Sequence, residues 1–329
     1  MNDDELSDRL RAARPRTPRR GETLGAASET VLQRIVSDES EANGVRDLAP
    51  DRRRAWRGRP AWLAAASVLL VIVLGAVGSI TFLQPSSAVA ATPRLLTPEP
   101  ILGTAGENLM SISDARRAAG QGGGGTIRFQ SWALAFDPDA GSSPRFIAPE
   151  QHQIEHLPDG SVRVTVRAGT PYAPSGSLVS DPTPAPGTVL WSDVQAAADV
   201  VTVFGAPPTV ASRVGEYLEA SGTVPHRTSG EYFSAIRLLL SEKQLSSEEE
   251  AALIAFLATL PDVEVEGSVT DRLGRLGVAF STESRSPGEY RDTLVLSASE
   301  GVLSYEVTYI GSSRTDIQAP AVIEYIAWE

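Results

Sequence analysis

From Pro60 to Pro93 the chain carries no charged residue, and Trp62–Leu83 (WLAAASVLLVIVLGAVGSITFL) within that run is almost wholly apolar. Twenty-two residues at ~1.5 Å each make a helix of roughly 33 Å, enough to cross a ~30 Å hydrocarbon core. The pattern predicts a transmembrane helix over residues 61–84. Its flanks predict the direction. Arg52, Arg53, Arg54, Arg57 and Arg59 stand just before it, and no basic residue follows until Arg94. Basic flanks stay on the cytoplasmic side, so these topogenic arginines place residues 1–60 inside the cell membrane and the C-terminal part outside. Trp56 and Trp62 suit the interface, where an indole keeps its N–H wet and its ring apolar. The rival readings are a buried core helix and a signal peptide cleaved after Ala91 in SSAVAA. The apolar run is long for a signal core, and some sixty residues precede it.

Charge divides along the same boundary. Residues 1–60 hold 13 Arg against 11 acidic residues, leaving 16 basic and 30 acidic residues for the rest of the 329-residue chain. An outer part at −14 is poorly suited to nucleic acid. There is no cysteine, which excludes disulfides, Cys-ligated zinc and a thiol nucleophile.

Residues 1–60 are too polar for a core and read as a largely disordered, Arg-rich segment with short amphipathic helices. Asp3–Ala13 is one such stretch. In Thr23–Ser37, Leu24, Ala27, Val31 and Ile35, with Val36 beside them, share one face. That face is a candidate docking surface for a cytoplasmic partner; the other reading is a tail with a transient helix. Residues 85–125 read as a stalk, with one short helix at Glu107–Ala119 that stops at the glycine run 120–125.

Residues 126–329 read as an α+β domain on a curved antiparallel sheet with a helical insertion at about 192–260. Val162, Val164 and Val166 alternate with Arg163, Thr165 and Arg167, as in a half-buried strand. Leu157-Pro-Asp-Gly160 is a turn, which pairs Ile147–His156 with Ser161–Ala168. In Thr126–Phe136 the apolar phase switches after Phe129, which implies a bulge near Gln130-Ser131 or two different packing partners. Ser246 with Glu249 forms a capping box, and the helix it opens carries Leu253, Ile254, Phe256, Leu257 and Leu260. Strands are expected at Val263–Thr270, Leu276–Ser281, Thr293–Ala298, Val302–Tyr309 and Val322–Trp328. In the fourth, Leu303, Tyr305 and Val307 are expected to share a face.

Catalytic patterns are weak. Gly120, Gly122 and Gly125 fit G-x-G-x-x-G, but the helix precedes the glycines and the strand follows, the reverse of a dinucleotide site. His152-Gln-Ile-Glu-His156 fits H-x-x-E-H, which needs a helix to bring both histidines to one zinc. Pro149 and Pro158 leave no room for one. On a strand the two imidazoles would sit roughly 13 Å apart with Glu155 on the opposite face. His152 is expected on an edge or loop, and His226 in a loop before a helix. Asp262, Glu264 and Glu266 read as a solvated strand face. The reading is therefore of a non-enzyme with no catalytic residue, metal or cofactor; a zinc hydrolase using His152, Glu155 and His156 is a remote alternative.

Residues 224–281, with VPHRTSGEYFSAIRLLL, the Leu260-Pro-Asp-Val263 link and Val269-Thr-Asp-Arg-Leu-Gly-Arg-Leu-Gly-Val278, resemble a family of actinobacterial single-pass membrane proteins often encoded beside alternative sigma factors. The resemblance implies an outer domain like the sheet of lipoprotein carriers and of periplasmic regulators of anti-sigma factors. It also implies a regulatory role in sigma-factor-associated signalling, with an extracytoplasmic lipid or protein ligand and a cytoplasmic partner such as a sigma factor. The alternative is a membrane-tethered carrier or binding module with no signalling role. The H-x-x-x-C-x-x-C of zinc anti-sigma factors is absent. Neutralising the five topogenic arginines should weaken or invert the orientation; unchanged labelling of Lys243 by an impermeant reagent in protoplasts would show that another feature sets it.

Overall fold

The computed structural model describes residues 90–120, 125–134, 146–314 and 316–329. The apolar run, the arginine cluster and the amphipathic stretches of residues 1–60 lie outside the described residues. Among the described residues no helix is long and apolar enough to cross a membrane.

The fold is α+β, built on nine antiparallel strands. Helix α1 (Ala105–Ala119) comes first, then β1 (Thr126–Ala133), β2 (Glu150–His156), β3 (Val162–Ala168) and β4 (Val189–Gln195). A short 3-10 turn (Ala211–Arg213) leads into α2 (Val214–Glu219), α3 (Ser229–Glu242) and α4 (Ser247–Leu257). Strands β5 (Glu264–Thr270), β6 (Leu276–Thr282), β7 (Tyr290–Ser297), β8 (Gly301–Tyr309) and β9 (Ala321–Trp328) complete the chain. Their spatial order is β4-β3-β2-β1-β9-β8-β7-β6-β5. Two meanders therefore meet where β1 pairs with β9, through Phe129 opposite Trp328 and Trp132 opposite Tyr325.

Local chemistry sets the element ends. Helices α1, α3 and α4 each open on a capping box, Thr104 with Glu107, Thr228 with Glu231 and Ser246 with Glu249. In each, a hydroxyl and a carboxylate satisfy N–H groups that the first turn leaves unpaired. Gly120 closes α1 in the left-handed conformation (φ 61°). The insertion is less helical than its composition suggests. Residues 192–195 belong to strand β4, and regular helix begins only at Ala211.

The helices cover one sheet face. Phe233, Ile236 and Leu239 of α3 and Leu253, Ile254 and Leu257 of α4 join Phe129, Phe280, Leu294, Tyr305, Ile326 and Trp328 in one apolar core. Phe256 only borders this core, edge-on to Tyr232 at 5.0 Å. Strand β1 keeps continuous register with both neighbours, so its phase switch is not a bulge. Ile127 and Phe129 face the helices, whereas Trp132 faces a second cluster with Ile147, Val322 and Tyr325. In β8 a register shift skips Leu303, placing Val295 opposite Ser304 and Leu296 opposite Val302. Leu303 is thereby turned away from Tyr305 and Val307, onto Val269, Ala279 and Val295. The bulge rotates its side chain to the other face.

That other face is covered by the start of the described chain. Residues 90–99, expected as stalk, are packed as a strap. Ala90 contacts the cluster of Tyr309, Ile317 and Ala321, Ala91 that of Trp132, Val322 and Tyr325, and Leu96 that of Val269 and Leu303. Glu99 then exchanges two 2.8 Å backbone hydrogen bonds with Ser268 on β5. Gly267 (φ +137°) makes this possible, because a Cβ there would lie 2.3 Å from the Glu99 carbonyl oxygen. Helix α1 is likewise docked: Ser113 Oγ donates to the Ala251 carbonyl at 2.7 Å, and Arg116 pairs with Glu250.

Phe233 is fully buried, whereas Phe256 keeps part of its ring in solvent. Phe233→Ala should cost ~3–5 kcal/mol in urea unfolding and Phe256→Ala distinctly less; equal losses would mean that Phe256 is as much a part of the core as Phe233.

Candidate functional site

The histidine pair lies on a strand. His152 and His156 share the helix-side face of β2, opposite Val166 and Val162 of β3. Glu155 points the other way and holds Arg163 at 2.9 Å. His152 is not at an edge: β2 runs between β1 and β3, and the residue is only 6 % exposed. Its ring stacks on Phe129 with centroids 4.6 Å apart, and Nε2 lies 2.9 Å from Ser131 Oγ and 3.3 Å from Glu150 Oε2. Polar character alone suggested exposure; a stacking ring and two polar partners override it. His226 precedes α3, with Nδ1 2.7 Å from Glu231 Oε1. No group of three or more His, Asp or Glu side chains converges among the described residues. On β5, Glu264 is exposed, and Glu266 accepts from Ser281 Oγ.

The buried charges answer one another. Arg285 grips Asp292 through two hydrogen bonds of 3.0 and 2.7 Å, and Tyr305 donates to the same carboxylate at 2.6 Å. Arg272 holds Glu306 at 2.7 and 2.8 Å and lies over the Tyr325 ring. Burial pushes both carboxyls up in pKa, against the lowering pull of their arginines. Each carboxylate is held by its own arginine, and the two pairs read as devices of the core. A cleft of about 300 Å³ lies beside Gly125, His156, Glu242 and Lys243. Its Glu242 carboxylate is already taken by the N–H groups of Val203 and Phe204 at 2.8 and 3.1 Å.

Among the described residues four buried polar atoms, Ser229 Oγ, Arg237 Nε, Ser304 Oγ and Trp328 Nε1, have no hydrogen-bond partner; the other unmatched feature is apolar and exposed. Leu178, Val189, Leu190, Trp191, Val194, Val201 and Val210 supply seven of the eleven large exposed apolar side chains among the described residues. Four of the seven lie on β4, which among the described residues ends the sheet and pairs only with β3. Val189 is 47 % exposed, Leu190 41 %, Trp191 37 % and Val194 49 %. Among the described residues the two edges are thus unequal: β5 is met by Glu99 at Ser268, and β4 has no strand beyond it. An edge strand keeps a row of unused N–H and C=O groups, and open edges are normally blunted by charge or proline. Within β4 only Asp193 serves that purpose. The sequence signal was present in the run Val189-Leu-Trp191, but it lacks period-2 alternation, and residues from 192 on read as the helical insertion. No family model, curated protein or solved structure matches the chain.

His152→Ala removes the stack on Phe129 and leaves Ser131 and Glu150 short of a partner. It should therefore lower stability by ~1–3 kcal/mol; an unchanged melting temperature would show that the imidazole contributes nothing.

Proposed function

We propose that this chain is a single-pass membrane protein whose outer α+β domain is a polypeptide-binding module acting by strand addition at β4. The observation that carries the reading is the open, apolar edge of an otherwise covered sheet. An extended segment laid along β4 would complete its hydrogen-bonding ladder and bury Leu190, Trp191 and Val194, the mode of β-augmentation. The charge-free run of residues 60–93 supports the membrane anchor. The six residues Gln84–Val89 between Leu83 and the packed Ala90 would reach at most ~20 Å, which would hold the domain close to the bilayer.

The regulatory role rests on the layout of the sequence: an Arg-rich inner segment with the face Leu24, Ala27, Val31 and Ile35, joined through one span to an outer binding module. The resemblance of residues 224–281 adds the sigma factor as inner partner. A tethered lipid or lipoprotein carrier is favoured less, because such a carrier needs an apolar cavity between helices and sheet. Phe233, Ile254, Leu257 and Phe280, all fully buried, fill that space.

A photoreactive benzoylphenylalanine at Trp191, in the full chain in native membranes, should yield a polypeptide adduct; the same probe at Leu276, exposed on β6, should not. Adducts to lipid alone, or equal adducts at both positions, would overturn strand addition at β4. Deleting residues 2–45 should leave the Trp191 adduct intact while abolishing recovery of any transcription component with the chain.

A further inference from the structure

Resting on the single-span reading, we infer that the strap side of β1–β3 is a docking face for an anionic phospholipid surface, that of the bilayer holding the anchor. Where the chain joins the domain decides which side it presents. Ala91 packs on Trp132, Ile147, Val322 and Tyr325, on the strap side, so a tether of at most ~20 Å would leave from that side. Tyr172 packs against the same cluster and bridges both Ile147 and Leu178. Arg94 Nε ties this hairpin to the strap, donating to the Pro174 carbonyl at 3.1 Å. Leu178, 71 % exposed, and Leu95, next to Arg94 and 43 % exposed, thus stand beside the root of the tether.

The sheet beside that root is basic. Arg128 of β1, Gln151, Gln153 and Glu155 of β2, and Arg163 and Arg167 of β3 share the strap side, because Phe129, His152 and Val166 take the other face. None of the six is buried. Arg128 stands opposite Gln153, and Arg167 opposite Gln151, which sets the two arginines roughly 12 Å apart across the sheet. They flank a cleft of about 180 Å³ that Gln151, Gln153 and Glu329 also line. Glu155 is engaged by Arg163 at 2.9 Å, and Arg167 donates to the Gly187 carbonyl at 3.3 Å. Guanidinium groups with spare N–H donors, set among carboxamides on three hydrogen-bonded strands, suit the phosphate oxygens of a headgroup.

The chain as a whole opposes an anionic surface, and this face does not. With Arg94 it holds four arginines against Glu155 and Glu329, a local +2, whereas the residues beyond 60 sum to −14. Screening decides which number counts. At physiological ionic strength the Debye length is ~8 Å, so carboxylates beyond the helices are screened from the bilayer and the facing arginines are not. Toward the other edge of the strap side, Glu266 and Glu283 share the single Arg291, which holds that half off and brings β1–β3 down. Arginines beside an exposed leucine combine the two attractions of an interfacial contact, charge and apolar burial.

The chain has no cysteine, so one introduced thiol can carry an environment-sensitive fluorophore. With the full-length chain reconstituted in phosphatidylglycerol vesicles, a nitrobenzoxadiazole label on Leu178→Cys should emit further to the blue and be quenched by doxyl-labelled lipid. The same label on Leu276→Cys, exposed at the opposite end of the sheet, should stay in water. Phosphatidylcholine vesicles, high salt, or Arg128→Gln combined with Arg167→Gln should each lower the quenching at Leu178 severalfold. Both arginines are exposed, so neither substitution opens a cavity. Equal quenching at Leu178 and Leu276, or quenching at Leu178 that ignores both lipid charge and the double variant, overturns the docking face. A chain that does not float with the vesicles overturns the single span, and the docking face with it; a chain that floats with its Leu178 label in water keeps the span and loses only the face.

Discussion

The pairing of β1 with β9 holds the architecture together. It joins residues about 200 positions apart in sequence, and each meander alone would be a smaller sheet with an extra open edge at its centre. Phe129 and Trp328 lie opposite each other on the helix side of this seam, and Trp132 and Tyr325 on the strap side. Both covering layers therefore assemble over the same seam. Helix α3 spans it, with Phe233 and Ile236 in the core that Phe129 and Ile326 share. Such long-range closure carries a high loop-entropy cost before it yields contacts.

Covering both faces of an antiparallel sheet changes what its sequence can look like. One-sided sheets alternate cleanly, apolar in and polar out. Here β8 and β9 are buried over most of their length on both sides, and polar residues that fall inside must be matched. Glu306 on the strap side and Asp292 on the helix side each meet an arginine. Those pairs add little net stability, since desolvation consumes most of the Coulomb gain, but breaking one would strand a buried charge. Their effect is on specificity: a register slip by one residue would separate Arg272 from Glu306 and Tyr305 from Asp292 together.

Much of this was legible in the residues. Strand β3 alternates with period 2, strands β2 and β5–β9 lie close to where the residues placed them, and α1, α3 and α4 open on hydroxyl–carboxylate caps. The failures share a cause. The strap, Ala90 to Glu99, consists of small residues, prolines and a few leucines without period, because its shape is dictated by the face it crosses. Strand β4 has no alternation, because neither of its faces is fully covered. Leu303 follows its bulge and not its parity, and His152 its neighbours and not its polarity. In each case tertiary contact decided the outcome, and a window of ten residues cannot contain it.

The same asymmetry explains why the candidate site was the least legible part. Core positions leave periodic traces because burial repeats with the element, whereas a docking edge is defined by what the rest of the fold leaves uncovered. Glu99 is exposed and unremarkable in sequence, yet its two backbone bonds to Ser268 cover part of the β5 edge, a cover that β4 lacks among the described residues. That occupancy depends on Gly267, whose missing Cβ admits the Glu99 carbonyl. A single backbone allowance at one end of the sheet thus lets a segment without periodic pattern cover part of an edge that would otherwise present unused N–H and C=O groups.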